Sequence, residues 1–231
     1  MLSPVEIEAR LDRILLSVQK PGRYVGGELN SVTRDWDSVS TRLALIFPDI
    51  YDLGISNLGM QILYDAVNGR SDALAERAYA PWVDMEEQMR RQGIPLYSLE
   101  SKHALADFDI LGFTLPYETL YTNALNLLDL AGIPLFSTER KETHPIVIAG
   151  GHACFNPEPM HAFIDAFVIG EGEEVIHEIL DAARENKQRG GKRDDLIHQL
   201  AHLPGVYVPA FYTASYHPDG TLEEVTPLLP R

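Results

Sequence analysis

The chain has 231 residues, of which 45% are hydrophobic and 23% are charged, and its formal net charge is −15. This length and composition are typical of one globular domain with small additions. The negative charge argues against a non-specific nucleic-acid or anionic-membrane surface, because both need clustered Lys and Arg. A single cysteine excludes an internal disulfide framework and a cysteine-ligated iron–sulfur cluster within this chain.

The first 20 residues are charged and follow a helical pattern, and no run of about 18 apolar residues occurs anywhere in the chain. The sequence therefore predicts neither a signal peptide nor a membrane span. We expect a cytoplasmic protein.

Predicted strands and helices alternate along the chain. An amphipathic helix over residues 4–18 and a glycine-rich loop arm come first. Apolar runs then predict strands at 41–47, 74–82, 108–116, 146–149 and 165–169, with helices at 58–67, 84–93, 118–132 and after the fifth strand to about residue 187. Ser56 or Asn57 is the expected N-cap of the helix at 58–67. Near-continuous apolar strands that alternate with helices predict an α/β fold. We expect a doubly wound, mostly parallel sheet of the Rossmann-like or flavodoxin-like type, with helices on both faces.

Three regions follow from this pattern. Residues 1–40 form an N-terminal helix and loop arm, and residues 41–190 form the α/β domain. Residues 191–231 hold a short helix at 194–202 and a β-hairpin around a Pro-Asp-Gly turn, which we interpret as a small extension.

The loops that follow four of the strands predict a ligand site. In an open α/β sheet, ligands bind beyond the carboxyl ends of the strands. The loops there, "PDIYDLGISNLG", "TLPYETLYTN", "GGHACFNPEP" and "GEGEE", are rich in Gly, Pro and small polar residues, whereas the loops at the opposite ends are more ordinary. At the double glycine, Gly150 and Gly151, two explanations stay open. The pair either allows a tight turn or leaves the backbone free of Cβ atoms so that a ligand can lie against it.

Other chemistries have weaker support. Cys154 is a nucleophile only if a base such as His152 lies beside it, and a lone cysteine is more often a small buried hydrophobe. The histidines 152, 161 and 177 lack metal-ligand spacing, so no metal site is predicted. No P-loop is present, and no dinucleotide fingerprint follows the first strand. A phospho-receiver is discarded because the places of its phosphoacceptor Asp and its Lys hold other residues.

In their order along the chain, these motifs resemble a known family. "DIYDLG" is similar to the Asp-x-His-x-x-Gly signature of cobalamin-binding domains, with Tyr51 in the place of the His. "TLP" at 114–116 loosely matches a Ser/Thr-x-Leu region, and the glycines at 150–151 match the pair over which the cobalamin nucleotide tail passes. "PGRYVGGELN", "APWVDME", "IAGGHACFNPEP" and "DAFVIGEGEE" resemble the N-terminal half of cobalamin-domain radical-SAM proteins, over residues 20–230.

The resemblance implies a cofactor and a set of binding residues. It implies cobalamin bound without a histidine as the lower cobalt ligand. The implied cofactor-binding residues are Asp49, Tyr51, Gly54, Ser56, Thr114, Leu115, Gly150, Gly151, Glu171 and Gly172. A leucine at position 151 is expected to project into the tail groove while leaving the fold largely intact. No catalytic residue is assigned.

The resemblance also implies a catalytic partner in cis. A radical-SAM barrel, carrying a [4Fe–4S] cluster and S-adenosylmethionine, is expected outside this chain, beyond residue 231. Two alternatives stay open: a cobalamin-free docking or substrate-binding domain of the same kind of enzyme, and an independent enzyme that uses Cys154. The oligomeric state is not predicted.

Overall fold

A computed structural model describes residues 2–228 and places six strands in one sheet. The strands are β1 (Thr41–Ile50), β2 (Ala73–Ala80), β3 (Ile110–Thr114), β4 (Ile146–Gly150), β5 (Ala166–Val168) and β6 (Val206–Tyr207). Their order across the sheet is β2-β1-β3-β4-β5-β6. The first five strands are parallel, and β6 pairs with β5 in the antiparallel sense.

Seven α-helices accompany the sheet within the described residues. They are α1 (Pro4–Ile14), α2 (Tyr51–Gly54), α3 (Leu58–Asn68), α4 (Val83–Gln92), α5 (Tyr121–Leu130), α6 (Gly172–Gln188) and α7 (Arg193–Leu200). Helices α3 and α6 contact each other over one face of the sheet. An ion pair between Arg90 and Asp129 joins helices α4 and α5. Taken together, the helices cover both faces of the sheet.

The predicted fold class is confirmed. The order 2-1-3-4-5 is that of flavodoxin-like sheets, and the chain changes direction across the sheet between β1 and β3, which opens a crevice at the carboxyl ends of these strands. Some boundaries differ from the prediction. Strand β1 continues through Pro48 to Ile50, with an irregular register against β2 after Phe47. The two residues of β6 lie in the segment that the sequence assigned to the C-terminal hairpin, but they pair with β5 in the main sheet instead.

The N-terminal arm folds back onto the α/β domain. The guanidinium group of Arg34 donates to the carbonyl oxygen of Asn68, at the end of α3, and to that of Ala73, at the start of β2. Trp36 stacks on the ring of His103 with their centroids 3.5 Å apart. Through Ala73 the arm contacts the start of β2, the strand at this edge of the sheet.

A separate antiparallel hairpin follows β6. It consists of β7 (Tyr212–Tyr216) and β8 (Leu222–Pro227), and most of its residues are exposed. This agrees with the hairpin predicted from the Pro-Asp-Gly turn. Across residues 2–228, every helix is too short or too polar to pass through a lipid bilayer.

Candidate functional site

A cavity of about 200 Å³ lies between the sheet and helices α3 and α6, and it extends to the carboxyl ends of the strands. It lies over β1, β3 and β4, at the crevice expected for this strand order. Four strands, both helices and the loop between β5 and α6 contribute to it. The lining residues are Leu43, Leu45, Gly59, Leu63, Gly112, Phe113, Thr114, Ile148, Ala149, Gly150, Gly151, Val168, Gly170, Glu171, Gly172, Glu173, Val175, Ile176 and Ile179.

Two strand glycines, Gly112 and Gly150, leave the floor of the cavity without side chains. A Cβ atom on Gly150 would lie 3.7 Å from the Cβ atom of Val168, and one on Gly112 would lie 3.4 Å from a methyl group of Leu43. Both are ordinary or nearly ordinary contacts, and neither glycine has the positive φ that excludes other residues. A glycine inside a strand weakens it and often marks a place of close approach. The absence of side chains at these positions is therefore what opens the cavity.

Gly151, the neighbour of Gly150, is a glycine for a different reason. Its φ of 111° and ψ of 177° lie in a region that is accessible essentially only to glycine. A Cβ atom here would lie 2.7 Å from the carbonyl oxygen of Leu115. The expectation that a leucine at position 151 would leave the fold intact is therefore wrong. The side chain would first meet the backbone of the neighbouring loop.

The loops after β3 and β4 are held together at this point. The N–H of Leu115 donates to the carbonyl oxygen of Gly150 over 2.7 Å, and the N–H of Ala153 donates to the carbonyl oxygen of Leu115 over 3.0 Å. The Leu115 side chain is fully buried and does not line the cavity. The backbone at Gly151 thus fixes the position of the cavity's edge.

The mouth of the cavity is formed where α3 and α6 begin. The side chain of Asn57 caps α3 by accepting from the N–H of Met60 over 2.9 Å, as the sequence predicted for Ser56 or Asn57. A Cβ atom on Gly172 would lie 3.3 Å from the side chain of Leu63, so the two helices approach closely there. Glu171 and Glu173 lie at the start of α6, where carboxylates interact favourably with the helix dipole.

Four of the predicted residues lie in or beside α2 and do not line the cavity. Gly54 is buried, and a Cβ atom on it would lie 2.5 Å from the ring of Tyr79, so packing requires a glycine here. Tyr51 meets the same ring edge to face, with centroids 5.4 Å apart. Asp49 accepts from the N–H of Ile50, and the Ser56 hydroxyl donates to a nearby carbonyl oxygen.

Helix α2 is also bound by the N-terminal arm. The carboxylate of Asp52 contacts Lys20 over 2.8 Å and Arg23 over 2.5 Å. Hydrogen bonds from these two cations lower the pKa of Asp52 to about 2. Burial and the nearby Glu28 raise the pKa of the Tyr51 hydroxyl. Tyr51 is therefore a neutral phenol near pH 7, fixed in position under the arm.

Exposed apolar side chains surround the carboxyl edge of the sheet. Leu53 lies on α2 and Leu58 begins α3, whereas Tyr117 follows β3 and Phe155 follows β4. Their exposed fractions are 53%, 67%, 41% and 64%. Exposed apolar residues grouped at one edge are typical of a surface that is covered by a ligand or a partner.

Cys154 is buried, with 1% of its surface exposed. Burial raises the pKa of its thiol to about 12, so the thiol is protonated near pH 7. The ring of His152 lies instead near Phe155, with centroids 5.6 Å apart. An activated thiolate needs a basic or cationic neighbour, and the described part of the chain places none beside Cys154. Within residues 2–228, no cluster of three or more His, Cys, Asp or Glu residues is arranged to hold a metal ion.

The cavity is also lined by residues that the sequence did not indicate as binding residues. Gly112, Leu63 and Ile179 lie on three different elements and meet only in the folded chain. One signal was present for Gly112, which interrupts the apolar strand "ILGFT". A glycine inside a strand pattern indicates a bulge or a close approach.

Fold and cavity together define a flavodoxin-like α/β domain with a cavity at the carboxyl ends of its strands. Residues 59–209 match the family model described as the N-terminal region of radical SAM proteins, and the chain belongs to that family. It is also similar to an uncharacterized protein of Methanocaldococcus jannaschii, at 24% identity over 142 residues. That alignment covers 60% of this chain and 26% of the archaeal protein, so the chain spans about a quarter of that relative's length.

Proposed function

We propose that this chain is the cobalamin-binding module of a radical-SAM protein and that its cavity takes the nucleotide tail of the cofactor. The observation that carries the proposal is the glycine-floored apolar cavity at the carboxyl ends of β1, β3 and β4. An apolar cavity of about 150 Å³ admits a benzene ring. A volume of about 200 Å³ therefore fits a somewhat larger planar aromatic base.

The charges of the lining favour this cofactor over a nucleotide that carries several phosphates. The cavity's ionisable side chains are Glu171 and Glu173, and among the described residues no Lys or Arg belongs to its lining. The start of α6 offers backbone N–H groups to the mouth, as a phosphate site does, but the side chains beside them are carboxylates and not cations. A largely apolar tail with one phosphodiester is a better match than a nucleoside triphosphate.

The exposed apolar residues at the carboxyl edge would contact the flat corrin ring. Leu53, Leu58, Tyr117 and Phe155 offer apolar surface there, and covering it with the ring or with a catalytic domain removes it from water. When bound, cobalamin supplies the cobalt chemistry, while the chain binds, orients and shields it.

No side-chain ligand to cobalt is assigned. Tyr51 stands where the related motif has a histidine, but its ring packs against Tyr79 and its raised pKa keeps the phenol protonated. A protonated phenol is a poor metal ligand. The [4Fe–4S] cluster and S-adenosylmethionine belong, in this proposal, to a catalytic domain elsewhere in the same polypeptide.

Gel filtration after incubation with hydroxocobalamin tests the proposal. A visible spectrum that comigrates with the protein supports it, and a colourless protein peak contradicts it. Gly150→Val should abolish cobalamin binding, so that the protein peak is colourless. A valine at this strand position fills the cavity, and its backbone can keep the φ of Gly150 without strain. Gly22→Val is the matched control and should stay coloured. Gly22 is exposed and lies outside the cavity, and among residues 2–228 no atom beyond its chain neighbours comes within 4 Å of the place its Cβ atom would take.

One alternative function is supported by the exposed apolar edge itself. A cobalamin-free docking domain would present the same four side chains to a catalytic domain. It would elute colourless from the same experiment, and Gly150→Val would then leave its behaviour unchanged.

A further inference from the structure

The chemistry of the cavity changes with depth. Its polar side chains, Thr114, Glu171 and Glu173, lie at the carboxyl edge, where β3 ends and α6 begins. The deeper lining is hydrocarbon. It includes Leu43, Leu45, Ile148, Ile176 and Ile179. A ligand group that enters fully therefore leaves water and meets no polar side chain among the described residues.

The backbone of the floor is equally closed to hydrogen bonding. Gly112 is in register with Leu45 on one side and with Ile148 on the other, so its peptide groups belong to the sheet ladder. Within residues 2–228, no cavity-lining side chain has a buried nitrogen or oxygen atom that lacks a partner. The inner part of the cavity, as these residues form it, thus offers neither a free donor nor a free acceptor.

We infer that the cavity selects corrinoids by the polarity of their nucleotide base, accepting an apolar benzimidazole and disfavouring a purine. This inference rests on the proposed function. A purine such as adenine carries an amino group and several ring nitrogens, which would lose their hydrogen bonds to water on entering. In dimethylbenzimidazole a benzene ring with two methyl groups replaces the pyrimidine ring and its amino group, so that only the imidazole nitrogens remain. An apolar pocket discriminates by roughly 10- to 100-fold in such cases.

Leu63 is the lining residue best placed for a test. It lies on α3 and is only partly buried, and its side chain faces Gly172 across the mouth. Leu63→Gln adds an amide that can pair with a purine, and glutamine is a good helix former. Its neighbour Ile62 is 38% exposed and lies outside the lining, so Ile62→Gln is a matched control on the same helix. Leu63→Met keeps the site apolar.

The experiment measures dissociation constants of the full 231-residue chain for three probes: cobalamin, the corrinoid with an adenine base, and cobinamide, which has no base. The inference predicts that cobalamin binds at least about 10-fold more tightly than the other two. Leu63→Gln should reduce the ratio of the dissociation constants of the adenine form and cobalamin several-fold, whereas Leu63→Met and Ile62→Gln should leave this ratio unchanged.

Failure of the inference and failure of the proposed function give different results. If the adenine form binds as tightly as cobalamin, or if cobinamide does, the base selectivity is refuted while corrinoid binding stands. An unchanged ratio in Leu63→Gln, with the fold confirmed by circular dichroism, also refutes it. If none of the three probes binds, the proposed function fails and the selectivity fails with it.

Discussion

The adjacent glycines 150 and 151 should respond oppositely to the same substitution. In Gly151→Ala, the alanine would have to adopt the φ of 111° that the glycine has. This glycine-only conformation costs about 1–3 kcal/mol in other residues. The new Cβ atom would also lie 2.7 Å from the carbonyl oxygen of Leu115. Relieving that contact disturbs the hydrogen bonds that Leu115 makes on both sides, each worth about 1 kcal/mol.

The total loss expected for Gly151→Ala is about 3 kcal/mol in the free energy of unfolding. In Gly150→Ala, by contrast, the added methyl group meets Val168 at 3.7 Å, and φ is ordinary. Replacing a glycine without strain stabilises a protein by about 0.4–1 kcal/mol, because the unfolded chain loses freedom. The two substitutions, one residue apart, should therefore differ by roughly 3–4 kcal/mol.

Urea unfolding followed by circular dichroism measures this difference. With a slope of about 3 kcal/mol per molar urea, the midpoint of Gly151→Ala should fall by about 1 M, and that of Gly150→Ala should stay level or rise slightly. Equal losses in the two variants would refute the reasoning, as would a Gly151→Ala variant as stable as the parent chain. Either result would mean that the loop relaxes around the new side chain.

Three further predictions concern groups outside the cavity. Asp52→Asn should be less stable than the parent above about pH 4, and the difference in stability should disappear as the pH falls towards 2. Lys20 and Arg23 lower the pKa of Asp52, and their ion pairs with it stabilise the fold only while the carboxylate is ionised. Urea midpoints measured from about pH 2 to pH 7 check this prediction. Cys154 should stay unreactive towards a disulfide reagent from about pH 5 to pH 9 until denaturant is added, because burial raises the pKa of its thiol to about 12. Rapid reaction of the thiol in the folded protein would contradict this prediction. Arg34→Ala should lower the free energy of unfolding by about 1–3 kcal/mol and make the N-terminal arm sensitive to limited proteolysis, because this guanidinium group ties the arm to the end of α3. Unchanged proteolysis would show that other contacts hold the arm.

Patterns local in sequence predicted most of the fold. Alternating apolar runs and helical periodicities specified a parallel sheet with helices on both faces, and Asn57 was one of two predicted caps for α3. These features depend on neighbours a few residues away, which the sequence displays directly. The residues of β6 were assigned to the hairpin, because their pairing with β5 depends on a contact between distant parts of the chain.

The candidate site was predictable only in part. The carboxyl-end loops indicated where a ligand would bind, and Thr114, Gly150, Gly151, Glu171 and Gly172 do line one cavity. The residues after β1 have other surroundings. Tyr51 and Gly54 pack against Tyr79, a residue of the next strand, and this packing cannot be read from the motif itself.

The amino-acid sequence by itself determined the fold class, the order of the elements and the edge of the sheet where polar, glycine-rich loops gather. It also showed two glycines side by side, without distinguishing them. Only the tertiary structure separated their roles. Gly151 is needed because of its own φ and the backbone of Leu115, whereas Gly150 faces α3 and α6 and leaves space beneath them. The physical reason is that a cavity is a property of atoms brought together from distant positions, so its size and polarity exist only once the chain is packed.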